Sequence, residues 1–119
     1  TGKIPNDFFI KDGKTKTIII TEQENVTSSE NCIYENAIFD TKLTRTIANI
    51  LYKYGIQSIV VEGGKQTLQS FIEDNLWDEA RVFIGNIYLK SGLKAPIING
   101  NFQTRNLIDD QLKLFYNYD

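Results

Sequence analysis

Ile56-Gln57-Ser58-Ile59-Val60-Val61-Glu62-Gly63-Gly64-Lys65-Gln66-Thr67-Leu68 reads as an apolar strand, a glycine turn and the start of a helix. The continuous run Ile59-Val60-Val61 suggests burial on both faces, as in a parallel sheet covered by helices. Upstream, Leu43, Ile47, Ile50, Leu51 and Tyr54 fall on one stripe of an amphipathic helix, with Asp40 or Thr41 as N-cap candidate and Gly55 placed to end it. Downstream, Leu68, Phe71, Ile72 and Leu76 share a second helical face. Helix, strand, glycine turn and helix in this order build an α/β sheet through right-handed crossovers.

Two β-branched stretches frame this centre. Thr17-Ile18-Ile19-Ile20-Thr21 predicts a short buried strand ahead of a polar stretch, and residues 33–39 give a further strand signal. After Trp77 the pattern returns to strands: Ala80 to Leu89 predicts one, shifted in phase near Gly85. Phe102 to Ile108 and Leu112 to Tyr118 predict a C-terminal antiparallel pair turned around Asp109-Asp110-Gln111. No repeat, low-complexity tract or interdomain linker interrupts the chain, which reads as one domain over residues 1–119.

Composition narrows the function. The 119 residues carry 13 Lys and Arg against 15 Asp and Glu, a net charge of −2 that gives no footprint for nucleic acid or an anionic membrane. No apolar run approaches the roughly 18 residues a membrane-spanning helix needs. His is absent and Cys32 is the sole cysteine, so neither a His/Cys zinc site nor a Ser-His-Asp or Cys-His machine can be assembled, and no metal is expected. An unpaired Cys leans towards the reducing cytoplasm. Without a Met and opening on Thr1-Gly2-Lys3, the chain reads as a piece of a longer protein.

The candidate chemistry lies at Glu62-Gly63-Gly64. Two glycines between strand and helix let the backbone approach a ligand, and the free N–H groups of the helix start, backed by its dipole, suit a pyrophosphate. A tight turn with left-handed dihedrals and no ligand is the alternative. The Rossmann fingerprint is not met, because its third glycine is absent. Glu62, at the carboxyl end of a strand, stands where ligands bind in open α/β sheets; otherwise it is a solvated acid near a helix start. Lys65 could add a cation, but an exposed first-turn Lys is the commoner case.

The stretch from Gly55 to Gly64, with Leu68, Ser70-Phe71 and Leu76-Trp77-Asp78-Glu79, resembles the reductase domain of the bifunctional riboflavin-biosynthesis deaminase/reductase family. Gly92-Leu93-Lys94-Ala95-Pro96 and Leu112-Lys113-Leu114-Phe115-Tyr116 are similar to that family's C-terminus, so the resemblance runs from about Thr17 to the end. It implies a dihydrofolate-reductase-like α/β fold: a three-layer arrangement of a sheet flanked by helices, with C-terminal antiparallel strands. The family's zinc deaminase domain and the first strands of its reductase domain have no counterpart here, so the chain is expected to be the C-terminal part of the reductase domain.

The resemblance further implies NADPH as cofactor, with Gly63 and Gly64 facing its pyrophosphate and Glu62 bonded to the substrate beside the nicotinamide. Thr21 would meet the adenosine ribose or its 2′-phosphate, although a strand-end Thr is also an ordinary turn former. The implied reaction is reduction of 5-amino-6-(5-phosphoribosylamino)uracil to its ribitylamino form, by a homodimer. The alternatives are a related pteridine or pyrimidine reductase, or a non-catalytic nucleotide-binding fragment.

Overall fold

The structure is a computed structural model and describes residue 12 and residues 14–118. These fall into two units that divide between Ser58 and Ile59.

In the first unit, β1 (Thr17–Thr21) and β2 (Cys32–Asn36) pair in parallel, Thr17 opposite Cys32 and Thr21 opposite Asn36. The β-branched run Ile18-Ile19-Ile20 suits a pleated surface. It is half-buried here, not fully buried. The residues joining the two strands have no regular structure and bond through side chains to β2 and to the segment after it: Ser28 Oγ accepts from the Tyr34 N–H (2.9 Å), and a Glu22 carboxylate oxygen from the Phe39 N–H (2.7 Å).

Helix α1 (Leu43–Lys53) follows, its predicted stripe Leu43, Ile47, Ile50, Leu51 and Tyr54 half-buried. The N-cap falls on Lys42 and not on Asp40 or Thr41; Asp40 acts two residues earlier, its carboxylate accepting from the Lys42 N–H at 2.8 Å. At the far end Gly55 takes φ +72°, Gly55 N–H bonds to Tyr52 O and Ile56 N–H to Leu51 O. That bonding is the Schellman motif, and a residue without a Cβ enters its left-handed position freely.

The predicted strand Ile56–Val61 does not form. The segment runs without a ladder partner among the described residues, and Ile59 and Val60 are exposed (48% and 85%). An apolar run becomes a strand only where another strand offers hydrogen bonds, which periodicity cannot report.

In the second unit, α2 (Lys65–Glu73) buries Phe71 and half-buries Leu68 and Ile72. Its end repeats the Schellman pattern with Asn75 at φ 55°: Asn75 N–H bonds to Ile72 O and Leu76 N–H to Phe71 O. Three strands follow, β3 (Glu79–Ile84), β4 (Phe102–Asn106) and β5 (Gln111–Tyr116), in the antiparallel order β3-β5-β4. The predicted C-terminal pair forms with shorter strands and with Gln111 in β5 rather than in the turn, Phe102 opposite Phe115 and Asn106 opposite Gln111. The strand expected to reach Leu89 stops at Ile84, and Ile87, Tyr88 and Leu89 are exposed.

Neighbouring residues on a strand point to opposite faces, yet Leu114 and Phe115 are both buried (5% and 7% exposed). The central strand β5 is therefore covered on both sides and carries this unit's core. The Phe102 and Phe115 rings sit 5.0 Å apart, with the Lys113 ammonium 4.6 Å from the Phe102 centroid.

One polar cluster marks the first unit. A Glu35 carboxylate oxygen accepts from the Lys53 ammonium at 2.8 Å and from the Tyr54 hydroxyl. The bond from Lys53, then that from Tyr54, holds the Glu35 carboxyl below the usual range; the same bonds raise Lys53 and Tyr54. A carboxyl depressed in the folded state contributes stability above its unfolded value and loses it as pH falls through the folded one. Lys53 and Tyr54, both raised, lose their share as pH rises through theirs. We expect Glu35→Gln to flatten both limbs of the pH–stability curve, measured by urea unfolding at low salt because Lys53 is exposed. Curves that stay parallel to the wild type would show that the cluster does not couple folding to protonation.

Candidate active site

Three of the four predicted site residues are consecutive in the second unit, where they lead into α2. Glu62 is exposed and stands two residues ahead of the N-cap; Gly63 takes φ +154°; Gly64 is the N-cap, with φ −67° and ψ 161°. The left-handed conformation expected of a glycine turn thus belongs to Gly63 and not to Gly64. A Cβ at Gly64 would meet nothing within 4 Å, and one at Gly63 would touch Thr67 Cβ at 3.8 Å. Gly63 is required by its own backbone; Gly64 is free to leave space.

The first hydrogen bond of α2 runs from Leu68 N–H to Gly64 O at 3.3 Å. The amides of Lys65, Gln66 and Thr67 precede it, and no side chain caps them. The first turn holds no acid, and Lys65 adds a formal positive charge there. Side-chain-free glycine backbone, uncapped amides and a neighbouring cation form a donor set that fits a diphosphate. Within the same unit only Glu62 of the predicted residues could exchange a proton with a ligand.

Thr21 ends β1 and belongs to the other unit. Its Oγ1 accepts from the Gln23 N–H at 3.1 Å and its carbonyl oxygen from the Ala37 N–H at 3.0 Å. It is thereby engaged as a turn former at the carboxyl end of a parallel pair. Among the described residues no group of His, Cys, Asp or Glu could hold a metal ion, and no helix is long and apolar enough to cross a membrane.

Gln69 escapes a reading of the sequence. Its side-chain amide accepts from the Ile97 N–H at 2.8 Å and donates to the Ile97 carbonyl oxygen at 3.4 Å. Nothing local marks a polar residue that finds its partner 28 positions away.

The family model described as the RibD C-terminal domain matches residues 1–115. The match begins upstream of Thr17, so it takes in more of the chain than the motifs that carried the resemblance. No curated protein matches the chain.

The two glycines make separable demands. Gly63→Ala should lower the unfolding free energy by about 1–3 kcal/mol, the cost of holding a Cβ in a sparsely populated conformation. Gly64→Ala should cost less than about 1 kcal/mol, the difference between Gly and Ala as an N-cap. Urea unfolding of both variants checks this; equal losses would mean that the backbone at Gly63 relaxes when a Cβ is added.

Proposed function

Because the chain belongs to the RibD C-terminal domain family, the reductase domain of RibD-type riboflavin-biosynthesis proteins, we propose that it takes part in the NADPH-dependent reduction of 5-amino-6-(5-phosphoribosylamino)uracil to the ribitylamino compound. The observation that supports the cofactor is the uncapped start of α2 behind two glycines, a site for a diphosphate made of backbone groups. Lys65, Gln66 and Thr67 would hold the diphosphate through their amides, and Gly64 would let it approach. When bound, NADPH supplies the hydride that the open-chain sugar accepts at its C=N carbon. The chain has no His, and a hydride transfer asks for no nucleophile.

What remains for the protein is alignment and one proton. Glu62, exposed and flanking the turn, is the carboxylate that would orient the substrate's polar groups or relay the proton to its nitrogen. For Thr21, a contact with the adenosine ribose or its 2′-phosphate rests on the family resemblance. The reading includes the family's dihydrofolate-reductase-like layering and a cytoplasmic setting, in keeping with an unpaired Cys32.

It also includes a homodimer formed through the aromatic strands of the second unit. Phe83 and Tyr118 are 64% and 84% exposed and Phe102 is 47% exposed, apolar surface that a second copy would cover.

Glu62→Gln is the direct test. NADPH affinity should stay within about threefold, since backbone groups hold the diphosphate, while turnover falls or the substrate KM rises about tenfold or more. Unchanged steady-state kinetics would return Glu62 to the solvated acids. For the dimer, sedimentation equilibrium over a hundredfold concentration range should show a species larger than 13.6 kDa, and Phe83→Asp should shift it to the monomer. A monomer throughout ends that part of the reading.

A further inference from the structure

Residues 85–101, the whole connection between β3 and β4, contain no helix or strand. Irregular connections of this length inside a small unit are uncommon, and they are either functional loops or linker-like segments. This one displays Tyr88, Leu89 and Leu93 at 80–90% exposure, with the exposed lysines Lys90 and Lys94 on either side of Gly92.

It is tied down by Gln69. The half-buried side-chain amide pairs with both backbone groups of Ile97, at 2.8 and 3.4 Å, as a residue on an adjacent strand would. Gln69 lies four residues beyond Lys65, about 6 Å along the axis from the start of α2. The fastening is thus about one helical turn from the uncapped amides. A loop held there joins to α2 a segment that carries an aromatic ring, aliphatic side chains and two cations. That set is suited to a flat heterocycle carrying a phosphate: the apolar side chains for the ring, the lysines for the phosphate.

We propose that Gln69 is a positioning residue that latches the 85–101 loop to α2, so that the loop forms the substrate-facing wall of the site whose floor is the Glu62-Gly63-Gly64 turn. The inference rests on the reductase reading for the identity of the substrate and on the Gln69–Ile97 pair for the latch itself. The cofactor's diphosphate is held by backbone groups of α2, so loosening the loop affects the substrate and spares the cofactor.

The experiment compares wild type, Gln69→Leu and Gln69→Glu in the intact protein. Leu keeps the size and loses both hydrogen bonds; Glu keeps the acceptor facing the Ile97 N–H, the shorter of the two. In Gln69→Leu we expect faster amide exchange across residues 85–101, including Ile97, a substrate KM raised about tenfold and an NADPH Kd within about threefold of wild type. Gln69→Glu should recover part of the KM. Unchanged exchange with unchanged KM overturns the latch. A KM and NADPH Kd that rise together with a fall in Tm overturn it as well, because Gln69 would then only support α2. A wild type that shows no NADPH-dependent reduction overturns the reductase reading instead. The latch is then decided by exchange alone, standing if Gln69→Leu accelerates residues 85–101 and falling if it does not.

Discussion

The second unit depends on α2 being fastened at the end away from its candidate ligand. Asn117 does this work: its side-chain N–H donates to Asn75 Oδ1 and to Trp77 O, each at 2.9 Å, and its backbone N–H bonds to Asp78 O at 2.9 Å. Asn75 is the left-handed residue that ends the helix, and Asn117 immediately follows β5. One asparagine therefore joins the helix terminus to the end of the strand that carries the core. Fastened there, the helix can leave its first amides without a cap, which a helix anchored only by its own first turn could not do at so little cost.

The first unit ends its helix with the same Schellman bonding but ties that end to its strand differently. There Gly55 supplies the left-handed residue, and the neighbouring Tyr54 and Lys53 reach back to Glu35 on β2. A charged acceptor shared by two donors is stronger than a neutral bond, although the exposure of Lys53 weakens it through solvent and salt. The tie between helix end and strand is electrostatic in this unit and amide-based in the other, so pH and ionic strength act on the two unequally.

Both helices were legible because their apolar residues recur at helical spacing and their ends carry residues suited to positive φ: Gly55 as the sequence suggested, Asn75 by a role the periodicity did not mark. β1 and the β4–β5 pair were legible from β-branched and alternating residues around turn signals. The failures share one cause. Ile56–Val61 and the extension of β3 to Leu89 are apolar, but strand formation is settled by a partner's backbone, which no local pattern encodes. Within the candidate site, the sequence marked Glu62-Gly63-Gly64 as a turn ahead of a helix and left open which glycine needs its conformational freedom, which the backbone assigns to Gly63. Gln69 was invisible because its role exists only once Ile97 has been brought beside it.

A helix that begins unfinished makes its ligand part of its own thermodynamics. Any anion that completes the first turn of α2 and binds the folded chain but not the unfolded one raises the unfolding free energy with the logarithm of its free concentration, by about 2.7 kcal/mol at a hundred times Kd. Proteases act on the opened form, so the chain's lifetime would lengthen when that anion is plentiful and shorten when it is scarce. Supply of the ligand would then set how much of the protein persists as well as how fast it works.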